Sequence, residues 1–241
     1  MVVLTACGAG ERPAAGDPTR LTVFAAASLT DAFAELADAF AADHPGVRVD
    51  VNAAGSQTLA HQINQGAPAD VFASSAAEQM AVVEEAGNLA AQPRVFAANR
   101  LAIAVEEGNP RGVRGLADLA DPDLVVALPG EQVPAGAHAR RVLDAAGVTV
   151  EPATLEADVR TALGRVVLGE ADASVVYASD VVAADGRVDG VAIPEGANVT
   201  VAYPIAALAG PADPADARAF VAFVLGEEGQ AILARHGLRA P

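Results

Sequence analysis

Three hydroxyls stand where apolar runs give way to helical patterns. Ser28 follows "LTVFAAA" at 21–27, Ser56 opens a helix after "VRVDV" at 47–51, and Tyr177 closes "ASVVY" at 173–177. Two further helices open on small apolar residues, "VPAG" at 133–136 and Val159 in "DVRTAL" at 158–163. In open α/β sheets, ligands lie outside the carboxyl ends of strands. Hydroxyls and helix-start N–H groups brought there from five points would be donors without a countercharge, a set suited to an anion. Each position also has an architectural reading. Ser28 is a good N-cap, with Asp31 placed like the acidic partner of a capping box. Tyr177 on its own reads as a core tyrosine with a satisfied hydroxyl.

Other chemistries find little support. All 15 cations are arginine, so neither a P-loop lysine nor a Schiff-base lysine is available. His44, His61, His138 and His236 have no metal-ligand spacing and are expected at the surface or at helix ends. "AAGSQ" lacks the second glycine of a hydrolase elbow. The 31 carboxylates fall mainly on polar helix faces, where solvated charge explains them, and no enzyme-like constellation emerges. A net charge of -16 argues against nucleic acid and anionic membranes.

No apolar run reaches the ~20 residues of a membrane span. The single cysteine, Cys7, ends "LTAC", which resembles a bacterial lipobox whose cysteine becomes a lipidated N-terminus. Only six residues precede it, so the expectation is a shortened leader, with residues 1–19 a signal remnant and a flexible Gly/Pro-rich tether, "GAGERPAAGDPTR".

The elements that must position the donors follow from periodicity. A strand at 21–27 leads to a helix at 29–43, whose Phe33, Leu36, Ala37 and Phe40 share one face. A strand at 47–51, a helix opened by "GSQT" and a strand at 70–75 complete a βαβαβ unit, which implies a parallel sheet. The second half predicts strands at 101–105, 124–128 and 173–177 and helices at 136–146 and 158–168. A long strand at 199–209 precedes two short helices carrying Phe220, Phe223, Val224, Ile232 and Leu233. The expected fold class is α/β in two lobes, each a mainly parallel sheet flanked by helices, with the ligand cleft between them. Lobe 1 takes 20–98 plus 205–241 and lobe 2 takes 99–204, with the crossings near 98–101 and 199–205 acting as hinges.

Five segments then carry a resemblance that runs in order along nearly the whole chain from residue 20: "LTVFAAASLTDAF" at 21–33, "GSQTLAHQINQGAPADVFAS" at 55–74, "VPAGAHAR" at 133–140, "DVRTAL" at 158–163 and "VVYASD" at 175–180. Together they resemble the periplasmic molybdate-binding proteins of ABC transporters. The resemblance implies a tetrahedral oxyanion, molybdate or tungstate, held by the hydroxyls of Ser28, Ser56 and Tyr177 and the backbone N–H groups of Ala135 and Val159. Molybdenum enters only inside that oxyanion, with no cofactor, no separate metal site and no catalytic residue. It further implies a monomer outside the cytoplasm, lipid-anchored at Cys7, that delivers to an ABC permease. One departure is "AGSQT", where Gly55 and Gln57 flank Ser56 and relatives carry a run of serines; Gln57 is expected to point to solvent.

A desolvated dianion needs every oxygen hydrogen-bonded, and helix starts add a favourable dipole. A donor-only pocket disfavours an anion that keeps a proton, such as hydrogen phosphate, and leaves molybdate, tungstate and sulfate. The negative net charge opposes the approach of an anion, though salt screens it beyond about 10 Å at 0.1 M. Binding of sulfate, thiosulfate or an organic acid is the alternative within the class. From another class, the same fold serves as an effector-sensing module or an enzyme. The first needs a basic helix-turn-helix, which is not seen, and the second needs titratable groups in the cleft.

Overall fold

The computed structural model describes residues 18–210 and 214–241; Cys7 and the tether up to residue 17 lie outside them. The first lobe begins with β1 (Thr19–Ala26), α1 (Thr30–Asp43), β2 (Val47–Ala54), α2 (Ser56–Asn64), β3 (Val71–Ala73) and α3 (Ala77–Glu85). β1 lies between β2 and β3, parallel to both, which is why its "LTVFAA" is almost continuously apolar and buried. The amphipathic face of α1 buries Phe33, Leu36, Ala37 and Phe40.

The chain then enters β4 (Arg94–Glu106), followed by β5 (Ala127–Pro129), α4 (Pro134–Ala145), β6 (Thr154–Glu156), α5 (Val159–Val167), β7 (Ala173–Tyr177), α6 (Ala178–Ala183) and β8 (Val188–Ala192). It returns through β9 (Thr200–Ala207) to α7 (Pro214–Leu225) and α8 (Glu227–Arg235). α7 and α8 pack on the first lobe. Phe220 meets Phe40 edge-on at 5.3 Å, and His236 holds Glu35 of α1 at 2.8 Å. The neighbouring Arg235 pairs with the same carboxylate.

The strand at 101–105 read from sequence is part of a longer strand, β4, while the one at 199–209 slightly overruns β9; β4 and β9 are the two crossing strands. Arg94–Arg100 of β4 pairs antiparallel with β9; from Leu101 onward the same strand pairs with β7 on one side and β8 on the other. The far end of β9, Ile205–Ala207, pairs with β3. One sheet therefore runs β2-β1-β3-β9-β4-β7 with β8 added on β4. Parallel pairing persists where βα units repeat, at β1 with its two neighbours and at β5 with β6. The sequence reading stopped short on β4 because Asn99 and Arg100 interrupt its apolar run. Both are held inside the sheet, where Asn99 is 2% exposed. β8 escaped notice because "VDGVA" has neither a continuous nor an alternating apolar pattern.

Candidate oxyanion site

Ser28, Ser56, Ala135, Val159 and Tyr177 line one narrow cavity together with Gly55, Ser75 and Asp158, with a volume of about 10 Å³ open to the centre of a water-sized sphere. That is far below the range of pockets for drug-sized ligands and leaves room only for a very small group. A wider groove bounded by Thr30, Asp31, Arg160 and Arg187 opens to solvent nearby.

Each donor is delivered by local chain geometry. Ser28 lies in a short 3-10 turn, Ala27–Leu29, between β1 and α1. Its hydroxyl makes no capping bond to either helical segment; it lies 3.1 Å from Tyr203 Oη. Asp31 is paired with Arg160 rather than closing a capping box. The capping reading of Ser28 is thus corrected, because the tight turn aims the side chain away from the first amides of α1.

Ser56 is the first residue of α2, 1% exposed, with its Oγ 3.1 Å from both Ser75 Oγ and Ser75 N. Ala135 and Val159 stand in the first turns of α4 and α5, where α-helical geometry leaves N–H groups without an intrahelical acceptor. The approach of α4 to the β5 loop requires Gly136, since a Cβ there would come within 2.0 Å of the Gly130 carbonyl oxygen. Asp158 contributes wall but not a free carboxylate: it caps α5 by accepting from Thr161 N at 2.9 Å and Thr161 Oγ1 at 3.0 Å.

Tyr177 is 1% exposed; among the described residues its hydroxyl makes no close hydrogen bond, though the hydroxyls of Ser75 and Tyr203 stand near enough to draw its pKa downward against the larger effect of burial. Burial holds its pKa far above the usual phenol value, so it is a neutral donor. Behind it, Asp180 is fully buried, accepts from Tyr177 N at 3.0 Å, and lies 3.6 Å from Arg160 Nε. Burial pushes the Asp180 carboxyl up to about 7, against the opposing pull of Arg160. Arg160 is the cation beside the site, yet its charge is directed to Asp31, Asp180 and the Ala27 carbonyl instead of the cavity. The cavity wall itself carries no arginine. The ligand's charge must therefore be met by dipoles: α2, α4 and α5 begin at this wall, and α1 follows the turn that carries Ser28.

Three sequence expectations are corrected here. Gln57 does not point to solvent; its Nε2 donates to the Ala157 carbonyl at 3.0 Å, across the cleft, and Gly55 leaves room for the folded-back side chain. His138 is not a surface or capping residue. It is 9% exposed on α4 beside the Tyr177 ring, neither ring nitrogen is hydrogen-bonded among the described residues, and burial lowers its pKa, which keeps it neutral. Asp180 is a carboxylate in the interior rather than on a polar helix face. Sequence reasoning also passed over Ser75, although "FASS" ends β3 in the manner that singled out Ser28, and over Tyr203 and Asn99, which sit within strands and carry no local signal.

Two lobes joined by crossing strands, with a small polar cavity where they meet, define a binding protein for a small solute. The model of the bacterial extracellular solute-binding proteins matches residues 21–239, and the chain belongs to that family. Among its relatives, the molybdate-binding protein ModA of Mycobacterium tuberculosis is 43% identical over 99% of this chain and 93% of the relative. ModA of Escherichia coli is 34% identical over 93% and 90%, respectively. The structure is similar to the periplasmic molybdate-binding protein of Azotobacter vinelandii, with a TM-score of 0.79 and 20% identity over 92% of this chain and 99% of that one. It is equally similar in fold to the sulfate-binding protein SubI of M. tuberculosis, with a TM-score of 0.81 and 20% identity over 92% and 87%. Among the described residues no helix is long and apolar enough to cross a membrane, and no cluster of His, Cys, Asp and Glu has the arrangement of a metal site.

Proposed function

We propose that this chain captures molybdate, and tungstate with it, outside the cytoplasm and delivers it to the permease of an ABC importer. The observation that carries this reading is the convergence of Ser28, Ser56, Ala135, Val159 and Tyr177 on one cavity whose wall offers donors and no cation. The five assigned roles are part of the proposal: three hydroxyls and two backbone N–H groups bind the oxyanion, and none is catalytic. The names of the relatives agree with a binding role. A ligand that binds only the folded state raises stability by RT ln(1 + [L]/Kd). In a thermal-shift panel at pH 7, molybdate and tungstate should raise the melting temperature strongly, sulfate weakly and phosphate not at all. A shift with phosphate equal to that with molybdate would overturn the reading, and a larger shift with sulfate would favour the sulfate alternative.

The lobes, 20–98 plus 205–241 and 99–204, are proposed to close about β4 and β9 near 98–101 and 199–205. The change of strand partner at Arg100/Leu101 supports this division, and Gln57 with Ala157 and Arg160 with Asp31 are contacts between the two segments that opening would break. Small-angle scattering should show a monomer that becomes more compact with saturating molybdate; an unchanged radius of gyration would count against the hinge.

The segment 1–19 is proposed as leader remnant and tether, with Cys7 the lipid anchor. In a lipoprotein-processing host the full chain should partition with membranes and Cys7→Ser should release it, since acyl chains supply the hold. Equal partitioning of the two forms would dismiss the anchor.

A further inference from the structure

The hydrogen bond between Ser28 Oγ and Tyr203 Oη, 3.1 Å long, can run in either direction. Its direction matters, because a serine that receives a proton from the protein keeps its own proton for the cavity, whereas a serine that gives its proton away offers the ligand only a lone pair. The neighbouring Asn99 favours one direction, because its donation occupies an acceptor position on the phenol oxygen that Ser28 would otherwise use. Asn99 Oδ1 accepts from Arg100 N at 2.9 Å, so the amide presents its Nδ2 to Ser179 Oγ at 2.8 Å and to Tyr203 Oη at 3.2 Å. An amide nitrogen only donates. Tyr203 Oη therefore accepts from Asn99, and its own proton has Ser28 Oγ, at 3.1 Å, as the acceptor in close contact, with the Tyr177 hydroxyl as the competitor. All three side chains are buried, with Ser28 7%, Asn99 2% and Tyr203 0% exposed, so water does not randomise the chain. Ser56 is oriented in a similar way, since the N–H of Ser75 donates to its Oγ and cannot reverse.

Resting on the reading of this cavity as an oxyanion site, we propose that Asn99 and Tyr203 are positioning residues that hold Ser28 as a hydrogen-bond donor and so set the selectivity for fully deprotonated oxyanions. They stand on the two crossing strands, β4 and β9, outside the cavity wall. An anion that retains a proton meets the Ser28 proton where it needs an acceptor. Without the Tyr203 hydroxyl, Ser28 can rotate and accept, and that discrimination weakens.

The test is a double-mutant cycle by titration calorimetry at pH 7, with sodium molybdate and then sodium phosphate, on the full chain, Ser28→Ala, Tyr203→Phe and the double variant. Tyr203→Phe should weaken molybdate binding about tenfold in the wild-type background and less than twofold in the Ser28→Ala background, because it acts through Ser28. It should also narrow the preference for molybdate over phosphate, which simple loosening of the fold would not do. Additive losses, no loss from Tyr203→Phe, or an unchanged preference would each overturn the relay while leaving the site standing. Unchanged molybdate affinity in Ser28→Ala would instead sink the site itself. If Tyr203→Phe does not fold by circular dichroism, Asn99→Ala in the same cycle applies the same criteria, since it removes the donor that directs the phenol.

Discussion

Tyr177→Phe is expected to weaken molybdate binding by roughly ten- to more than a hundredfold while the melting temperature of the unliganded protein stays within a few degrees. The asymmetry follows from what the hydroxyl touches. Tyr177 Oη is buried beside the cavity, and among the described residues it makes no close hydrogen bond. A poorly paired buried polar group costs about 1 to 3 kcal/mol, so deleting it removes a penalty along with the group, and the free protein loses only weak contacts with the Ser75 and Tyr203 hydroxyls. With the anion present, the same hydroxyl donates to a charged acceptor, a bond that contributes about 1.5 to 3 kcal/mol. Calorimetric titration with molybdate, beside thermal melts without it, separates the two effects. Undiminished affinity in Tyr177→Phe would show that the hydroxyl belongs to the core and not to the ligand.

Arg160→Ala is expected to produce the largest loss of stability, about 3 to 5 kcal/mol at pH 8, because it strips the compensating charge from a fully buried carboxylate. The pH dependence identifies the cause. The Asp180 carboxyl, near 4 in an unfolded chain, is raised to about 7 by burial in the folded protein. Between those values the folded state binds a proton that the unfolded state has released, so stability declines as pH rises, by up to about 1.4 kcal/mol per pH unit, and levels off above the folded value. Arg160 draws the folded value downward; without it the window of decline extends to higher pH. Urea unfolding should therefore show a smaller loss for Arg160→Ala at pH 5 than at pH 8. Adding Asp180→Asn should recover most of the pH 8 loss. A loss independent of pH would mean that Arg160 stabilises through its bridge to Asp31 and Ala27 rather than through Asp180.

Local sequence determined the repeating parts of this protein. The face of α1 that buries Phe33, Leu36 and Phe40, the apolar β1 between two parallel neighbours, and the strand ends at Ser28 and Tyr177 are all properties of five to fifteen consecutive residues. Periodicity and turn residues report these directly, because they express which side of a short segment leaves water. Ala135 and Val159 were legible as helix starts, but their assignment as ligands came only through the family resemblance, since a backbone donor leaves no mark on the side chain beside it. Tertiary structure decided the rest. That β4 runs as one strand through Asn99 and Arg100 depends on pairing with β9, as between Asn99 and Val201, far apart in the chain, which stabilises polar residues that look like a break in sequence. Whether Ser28 caps a helix or faces a phenol, whether Gln57 meets water or Ala157, and whether Asp180 keeps its charge are set by groups about 100 or more residues away for the first two and by complete burial for the third. Hydrogen bonds and desolvation act at contact distance, and contact is what the folded chain alone supplies.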